Sequence, residues 1–280
     1  MKNFVLFSIS AIVAVIACKN HKQSNSNSET LMEGSLENDT LENDFQNCDS
    51  IFNKYTLFPI DSTLQTKILT TGTFHSDEVW KNADKENWIA LFQSERSYYL
   101  AETKIKTIRV YDSVADENEN DKTGWDVTTI NRGRALILIE TLDFLKPHQV
   151  LEAVLSKKQI FPGDTLRINY LGVHYILYAT GEKKKVQTDP EWFEVWNYKL
   201  YITATIKGKQ HKSLLVAKPS FDDQMITLIF AGDIDDDGIL DLIINTSRHY
   251  NVSSPTIYFS KPAKNGEVVK PMGVHTSVGC

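Results

Sequence analysis

The stretch MITLIFAGDIDDDGILDLIINTS, Met225–Ser247, decides the fold class. It contains two short apolar runs rich in Ile, Leu and Phe, and a loop crowded with aspartates separates them. Apolar runs of this length, bounded by turn residues and rich in β-branched and aromatic side chains, are typical of buried β-strands. The stretch therefore predicts two strands that an acidic loop connects.

Runs of the same kind recur along most of the chain. Examples are RALILIETLDFL, WFEVWNYKLYITATIKGKQHKSLLVA and SPTIYFS, all with Gly, Pro, Asn or Asp between them. This pattern predicts a mostly β protein with antiparallel sheets, sandwich-like or barrel-like, and few short helices. The stretches Asp77–Phe92 and His148–Leu155 are the two candidates for those helices. A polar segment at 181–191 suggests a division into an N-terminal β region, 48–182, and a C-terminal β region, 183–280.

The acidic loop has the spacing of a metal-binding loop. Counted from Asp233, acids occupy positions 1, 3, 5 and 9, which are Asp233, Asp235, Asp237 and Asp241. Position 6 is Gly238, which permits a sharp backbone turn, and the carbonyl of Ile239 at position 7 can add a ligand. Hard oxygen ligands in this number favour Ca2+ over Zn2+. Asp236 lies between ligand positions and is expected to point outward.

This D-x-D-x-D-G-x-x-D pattern resembles the calcium loops of FG-GAP and VCBS-type repeats. The apolar runs on both sides resemble the strands that flank the loop in that family, and Ile244 stands where an EF-hand has Glu. The resemblance covers about 20 residues and implies calcium ligation by the loop. A propeller requires several blades, and the sequence shows one clear loop of this kind, so the resemblance does not imply a propeller.

The first residues have the pattern of an export signal. Lys2 precedes an apolar segment that closes with VIAC, Val15–Cys18. This ending resembles the lipobox of bacterial lipoproteins, which implies a signal peptide at 1–17 and lipidation of Cys18. Residues 18–47 are polar and rich in Ser, Asn and Glu, so they are expected to form a flexible tether. The predicted location is the cell envelope, with the membrane contacted through the lipid on Cys18.

Two further cysteines, Cys48 and Cys280, remain after Cys18. In an oxidising compartment they can form a disulfide that ties the ends of the folded part together. Free thiols, or bonds to other chains, are the alternatives.

Composition and motifs indicate which classes of function are not expected for this chain. The net charge is −6 with no basic stripe, so nucleic acid is not an expected partner. No common catalytic motif occurs, and we assign no catalytic residue. His75, Asp77 and Glu78 lie in a segment that resembles part of the DHH-type metal-dependent hydrolases, although the Asp-His-His motif of that family is absent. Asp116, Asn118 and Asn120 repeat the 1-3-5 spacing without the Gly, as in either a second calcium loop or a solvated acidic loop.

These observations lead to a hypothesis with one main alternative. The chain is expected to be a lipid-anchored envelope protein with a structural calcium site, acting without catalysis as a binding or assembly module. Its expected partner is an envelope protein or a glycan. The alternative is an envelope hydrolase that uses calcium structurally.

Overall fold

The computed structural model describes residues 56–95, 97–187, 189 and 192–279. The described residues belong to one compact unit. The predicted signal peptide, Cys18, the tether, Cys48 and Cys280 lie outside the described residues and stay predictions.

The described chain is built from eighteen β-strands and two short 3-10 turns, Asp61–Thr63 and Ala83–Lys85. In chain order the strands are β1 Ile68–Leu69, β2 Gly72–Phe74, β3 Trp88–Gln93, β4 Tyr98–Thr103, β5 Ile105–Val110, β6 Gly124–Thr129, β7 Arg134–Glu140, β8 His148–Val150, β9 Thr165–Tyr170, β10 Val173–Lys185, β11 Phe193–Ile206, β12 Lys209–Ser220, β13 Thr227–Gly232, β14 Asp241–Asn245, β15 Val252–Ser253, β16 Pro255–Phe259, β17 Lys270–Val274 and β18 Ser277–Val278.

The strands form five sheets whose paired strands are all antiparallel. Their orders are β2-β6-β5, β1-β7-β3-β4-β8, β13-β14-β16-β17, β12-β11-β10-β9 and the small pair β15-β18. The neighbour order of each sheet is open, without closure into a barrel. The predicted fold class, mostly β with antiparallel, sandwich-like sheets, is confirmed.

Within the described part of the chain, three apolar cores lie between successive sheets and order them into layers. Phe74 and Val127 of the β2-β6-β5 sheet pack with Phe92 of the five-stranded sheet in the first core. The other face of the five-stranded sheet packs against Phe230, Ile243, Ile257 and Phe259 of the β13–β17 sheet. The third core joins the opposite face of the β13–β17 sheet to the β9–β12 sheet.

The two inner sheets are therefore buried on both faces, whereas the outer β9–β12 sheet has a buried and an outward face. This explains the two sequence patterns, because a strand covered on both sides is a continuous apolar run and a half-covered strand alternates. All residues of β16 are buried, while β9 alternates exposed and buried positions.

The two predicted helices are wrong. Within Asp77–Phe92 the chain forms only the 3-10 turn Ala83–Lys85, and Trp88–Phe92 belongs to β3. Within His148–Leu155 the chain forms β8 and then runs along the free edge of β13, where Ala153 N donates to Ala231 O at 2.8 Å. Short apolar runs do not distinguish a buried strand from a buried helix, and here the two-sided burial of β3 favours the strand.

The predicted boundary between residues 182 and 183 lies inside β10, which pairs with β11 as far as Lys185. The division of the chain into two β regions at this boundary stays a prediction. Among the described residues, no helix is long and apolar enough to cross a membrane.

Candidate metal centre

The acidic loop joins two adjacent strands of the β13–β17 sheet. Gly232 ends β13 and pairs with Asp241, the first residue of β14. Between them, Ile234 and Leu240 are fully buried and enter two different cores. These two apolar side chains hold both ends of the loop to the protein, so the acidic residues between them are confined to a small volume.

Three carboxylates converge in this loop. One carboxylate oxygen each from Asp233, Asp235 and Asp237 lies within 4.8 Å of the others, and the three could hold a metal ion. Asp235 is 1 % exposed, whereas Asp237 is exposed, so the cluster extends from the core to the surface. The alternation at positions 1, 3 and 5 thus brings the predicted side chains together.

The backbone of the loop is turned so that its amides support the first aspartate. Asp237 N donates to Asp233 Oδ1 at 3.0 Å and Gly238 N donates to Asp233 Oδ2 at 2.7 Å. Gly238 has φ +82°, the left-handed conformation that glycine adopts without strain. Ile239 N donates to Asp237 Oδ1 at 2.8 Å. Its carbonyl stays a predicted ligand.

Asp236 lies between the convergent residues and is exposed, with φ 57°. It does not belong to the group of three. Asp residues are among the few non-glycine residues that adopt this conformation readily.

Asp241 is fully buried and has a different environment from the other three. Its Oδ2 accepts hydrogen bonds from the amides of Ile234 at 2.7 Å and Asp235 at 3.0 Å, and its Oδ1 accepts one from Ser260 N at 2.7 Å. It closes the loop and joins it to the end of β16. Asp241 does not belong to the group of three, and it stays a predicted ligand.

Burial and like charge disfavour ionisation at the inner end of the cluster. Burial raises the pKa of Asp235 to about 6, and the carboxylates of Asp237 and Asp233 act in the same direction. Burial also raises the pKa of Asp241 well above its ordinary value, and Asp235 adds to this. A cation among the carboxylates would oppose both effects, because it favours the charged form of each acid.

Four residues that the sequence did not single out complete the site. The hydroxyl of Tyr170 accepts a hydrogen bond from Asp233 N at 3.0 Å, and that of Tyr175 accepts one from Leu240 N at 3.2 Å. Ser260 contacts Asp235 as well as Asp241, and Lys261 N donates to Asp235 Oδ2 at 3.0 Å. The Lys261 ammonium donates to the Asp235 carbonyl at 3.0 Å. No local signal marks these residues, because they are separated from the loop along the chain.

The second acidic loop is arranged differently. Asp116 is buried, and its carboxylate accepts hydrogen bonds from Asp112 N at 2.8 Å and Thr123 N at 2.9 Å. Asn118 and Asn120 are exposed. Within the described part of the chain, Asp233, Asp235 and Asp237 are the one group of potential ligands of this size, and Asp116 is not in it.

The segment around His75 is organised by two carboxyl groups. His75 Nδ1 lies 2.6 Å from Asp112 Oδ2, and His75 N donates to Glu78 Oε2 at 2.9 Å. The hydrogen bond to Asp112 raises the pKa of His75, and the charges of Glu78 and Asp77 act in the same direction. The other carboxyl oxygen of Glu78 accepts a hydrogen bond from Val278 N, which fastens β18 to this segment.

No protein-family model, curated protein or solved structure matches this chain.

Proposed function

We propose that the chain is a lipid-anchored cell-envelope protein with a structural calcium site, and that it acts as a non-enzymatic binding or assembly module. The observation that carries the calcium site is the convergence of Asp233, Asp235 and Asp237 within 4.8 Å between two strands of one sheet.

Calcium suits this site better than other common ions. Carboxylate oxygens are hard ligands, which favour Ca2+ or Mg2+ over Zn2+. The loop has carboxylates at three depths, from a buried Asp235 to an exposed Asp237, and its backbone is irregular. Calcium accepts such uneven ligand sets, whereas Mg2+ demands a near-ideal octahedron.

The role of the ion is structural. The loop connects β13 to β14, and both strands contribute to two of the three cores. An ion that binds the folded loop and not the unfolded chain adds its binding free energy to stability. Neutralising the crowded carboxylates also removes a repulsion that the fold otherwise has to overcome.

Thermal melting of the full chain tests the calcium site. With a dissociation constant near 1 mM, 5 mM calcium should add about 1 kcal/mol, which raises Tm by about 2–4 °C over the value in EDTA. Asp235→Ala should remove the shift, and Asp236→Asn should keep it. We chose Asn at position 236 because it tolerates the left-handed backbone there.

Magnesium at 5 mM should give a smaller shift than calcium. The readout is the shift on adding the ion, so a general loss of stability in Asp235→Ala does not affect the comparison. A wild-type Tm that calcium leaves unchanged would overturn the calcium proposal.

The anchor is tested separately. The VIAC sequence at Val15–Cys18 supports lipidation, and the wild-type chain should fractionate with membranes. Cys18→Ser should be released or remain unprocessed. If the Cys18→Ser variant is processed and partitions into membranes like the wild-type chain, the lipoprotein proposal is contradicted.

A hydrolase is the second candidate, and the His75–Asp112 pair favours it. The pair lines a cleft of about 180 Å³ together with Tyr111 and Ser113. A carboxylate that orients a histidine is a common part of hydrolytic sites. If the wild-type chain hydrolyses acyl or glycosyl reporter substrates and the His75→Gln variant does not, a hydrolase is favoured over a binding module.

A further inference from the structure

Among the described residues, no apolar core covers the outward face of the β9–β12 sheet. We define this open face by the residues that alternate with the buried ones in the central part of the four strands. They are Thr165, Arg167, Asn169, His174, Ile176, Tyr178, Thr180, Lys199, Tyr201, Thr203, Thr205, Gln210, Lys212 and Leu214. All of them are exposed or half-buried, and their neighbours along each strand are mostly buried in the third core.

The charge of the open face is opposite to that of the whole chain. Its central part contains Arg167, Lys199 and Lys212 and no Asp or Glu, although the chain carries a net charge of −6. The next acid along β10 is the exposed Glu182, whose carboxylate accepts a hydrogen bond from Asn197 Nδ2 at 2.8 Å. Within the described residues none of these three cations forms a salt bridge with a carboxylate. An acidic protein that places three cations without a carboxylate partner on one sheet face offers a site for an anion.

Two tyrosines lie between the cations. Tyr178 and Tyr201 are cross-strand partners, and their rings stack with centroids 5.3 Å apart and an interplanar angle of 21°. The Lys212 ammonium lies 4.3 Å from the centroid of Tyr201 and 5.7 Å from that of Tyr178. On the other side of Tyr178 the cross-strand partner is Thr165.

The register gives the spacing of the cations. Arg167 pairs with Ile176, Ile176 with Thr203 and Thr203 with Lys212. The Cα atoms of Arg167 and Lys212 therefore lie three strand spacings, or about 14 Å, apart. Thr203 is the β11 residue in the line that joins Arg167 to Lys212, and the Cα atom of Lys199 lies four residues, or about 13 Å, along β11 from it. The cations thus surround the tyrosine pair at intervals that suit an extended ligand rather than one small ion.

We propose that the open face binds an anionic polysaccharide, a polymer of carboxylated or sulfated sugars, through Arg167, Lys199 and Lys212 with the Tyr178–Tyr201 pair as its aromatic contact. The proposal rests on the binding role proposed above and names its partner class. The hydroxyl and amide groups of the threonines, Asn169 and Gln210 supply the neutral hydrogen bonds that sugar hydroxyls require.

A glycan fits the open face better than a membrane or a nucleic acid. Membrane-surface binding requires apolar side chains that insert among lipids, and this face has only Ile176 and Leu214, both half-buried. Nucleic acid binding depends on a strong positive field, which three cations on a chain of net charge −6 do not provide.

Calorimetric titration of the full chain tests the proposal, with Cys18→Ser in every sample to remove the lipid. The probes are polygalacturonate, hyaluronan and heparin, with neutral dextran as the control polymer. EDTA is present throughout, so calcium cannot bridge the polymers to the aspartate loop. At least one acidic polymer should bind, dextran should not, and added salt should weaken the binding.

The matched variants remove the same charge from two surfaces. The triple variant Arg167→Ala/Lys199→Ala/Lys212→Ala should lose affinity about tenfold, the effect of three exposed ion pairs. Lys106→Ala/Lys264→Ala/Lys270→Ala removes three exposed lysines elsewhere and should bind like the parent chain. Tyr201→Leu should weaken binding while leaving the charge unchanged.

Three outcomes would overturn the inference. The first is no binding to any acidic polymer, and the second is an equal loss in both triple variants. The third is binding of phosphatidylglycerol vesicles or single-stranded DNA in place of the glycans, with the same sensitivity to the three substitutions. A calcium-dependent Tm alongside any of these would leave the calcium proposal standing.

Discussion

The loops that begin at Asp116 and Asp233 have similar spacing and different structures. Both place polar ligand types at positions 1, 3 and 5. In the loop from Asp233 three carboxylates meet within 4.8 Å. In the loop from Asp116 backbone amides converge on one carboxylate, that of Asp116, and its asparagines are exposed.

The residues between the acids account for the difference. The sequence DIDDDGIL has Ile234 and Leu240, which are buried in two cores, and Gly238 at the sharp turn. The sequence DENENDKT has exposed Glu117 and Glu119 in between and Asp121 in place of the glycine. Apolar side chains confine the first loop, whereas the second is free to satisfy its own amides. Acid spacing alone therefore does not establish a metal site.

The largest expected effect comes from removing the carboxylate that closes the first loop. Asp241→Ala leaves three amide donors without their acceptor at a fully buried position, and we expect a loss of about 3 kcal/mol or more. Asp116→Ala removes an acceptor from a loop near the surface and should cost less. Urea unfolding of both variants in EDTA measures the difference. Equal losses would mean that the two carboxylates support their loops in the same way.

A smaller effect is expected at the turn. Gly238→Ala meets no heavy atom within 4 Å, so its cost is the left-handed backbone alone, about 1 kcal/mol. Gly266→Ala is the matched control, because its φ of +89° and open surroundings are the same kind. Both should lower Tm similarly in EDTA, and only Gly238→Ala should reduce the shift that calcium produces. A calcium response that Gly238→Ala leaves intact would show that the glycine has no part in ligation.

The smallest effect is the pH dependence of stability at the loop from Asp116. His75 contacts Asp112, and Asp112 N donates to the Asp116 carboxylate. Because the His75 pKa is raised above 6.5, the stability from this pair is fully present below pH 6.5 and is lost as pH rises through the raised value. The Asp112 pKa is lowered by the same hydrogen bond, so its contribution is lost only as pH falls below about 3.8.

Comparison of wild type with Asp112→Asn between pH 5 and 8.5 isolates this effect. His275 has a pKa lowered by burial and favours folding at higher pH, but it is present in both chains and cancels. The stability difference should shrink as pH rises, and NMR titration should show a lower His75 pKa in the variant. A His75 pKa that Asp112→Asn does not change would contradict the assignment.

Much of the fold was predictable from the chain. The period-2 pattern of the outer strands and the continuous runs of the inner ones both indicated β-structure. The helix predictions failed at Asp77–Phe92 and His148–Leu155. The apolar residues there fit the period of a helix as well as that of a strand, and packing against neighbouring sheets favours strands. Within the site, Asp233, Asp235 and Asp237 were predictable because their spacing is combined with Gly238 at the turn and with apolar runs on both sides of the loop.

The features that could be read from the chain alone are local: the strand character of its apolar runs and the three aspartates that meet in one loop. The surroundings of that loop depend on the tertiary structure. Tyr170 and Tyr175 reach it from the β9–β10 hairpin, and Ser260 reaches it from the end of β16. The open face likewise emerges only from register, since Arg167, Lys199 and Lys212 lie on three strands. Side-chain periodicity acts over a few residues, whereas these contacts depend on which strands pair and which sheets stack.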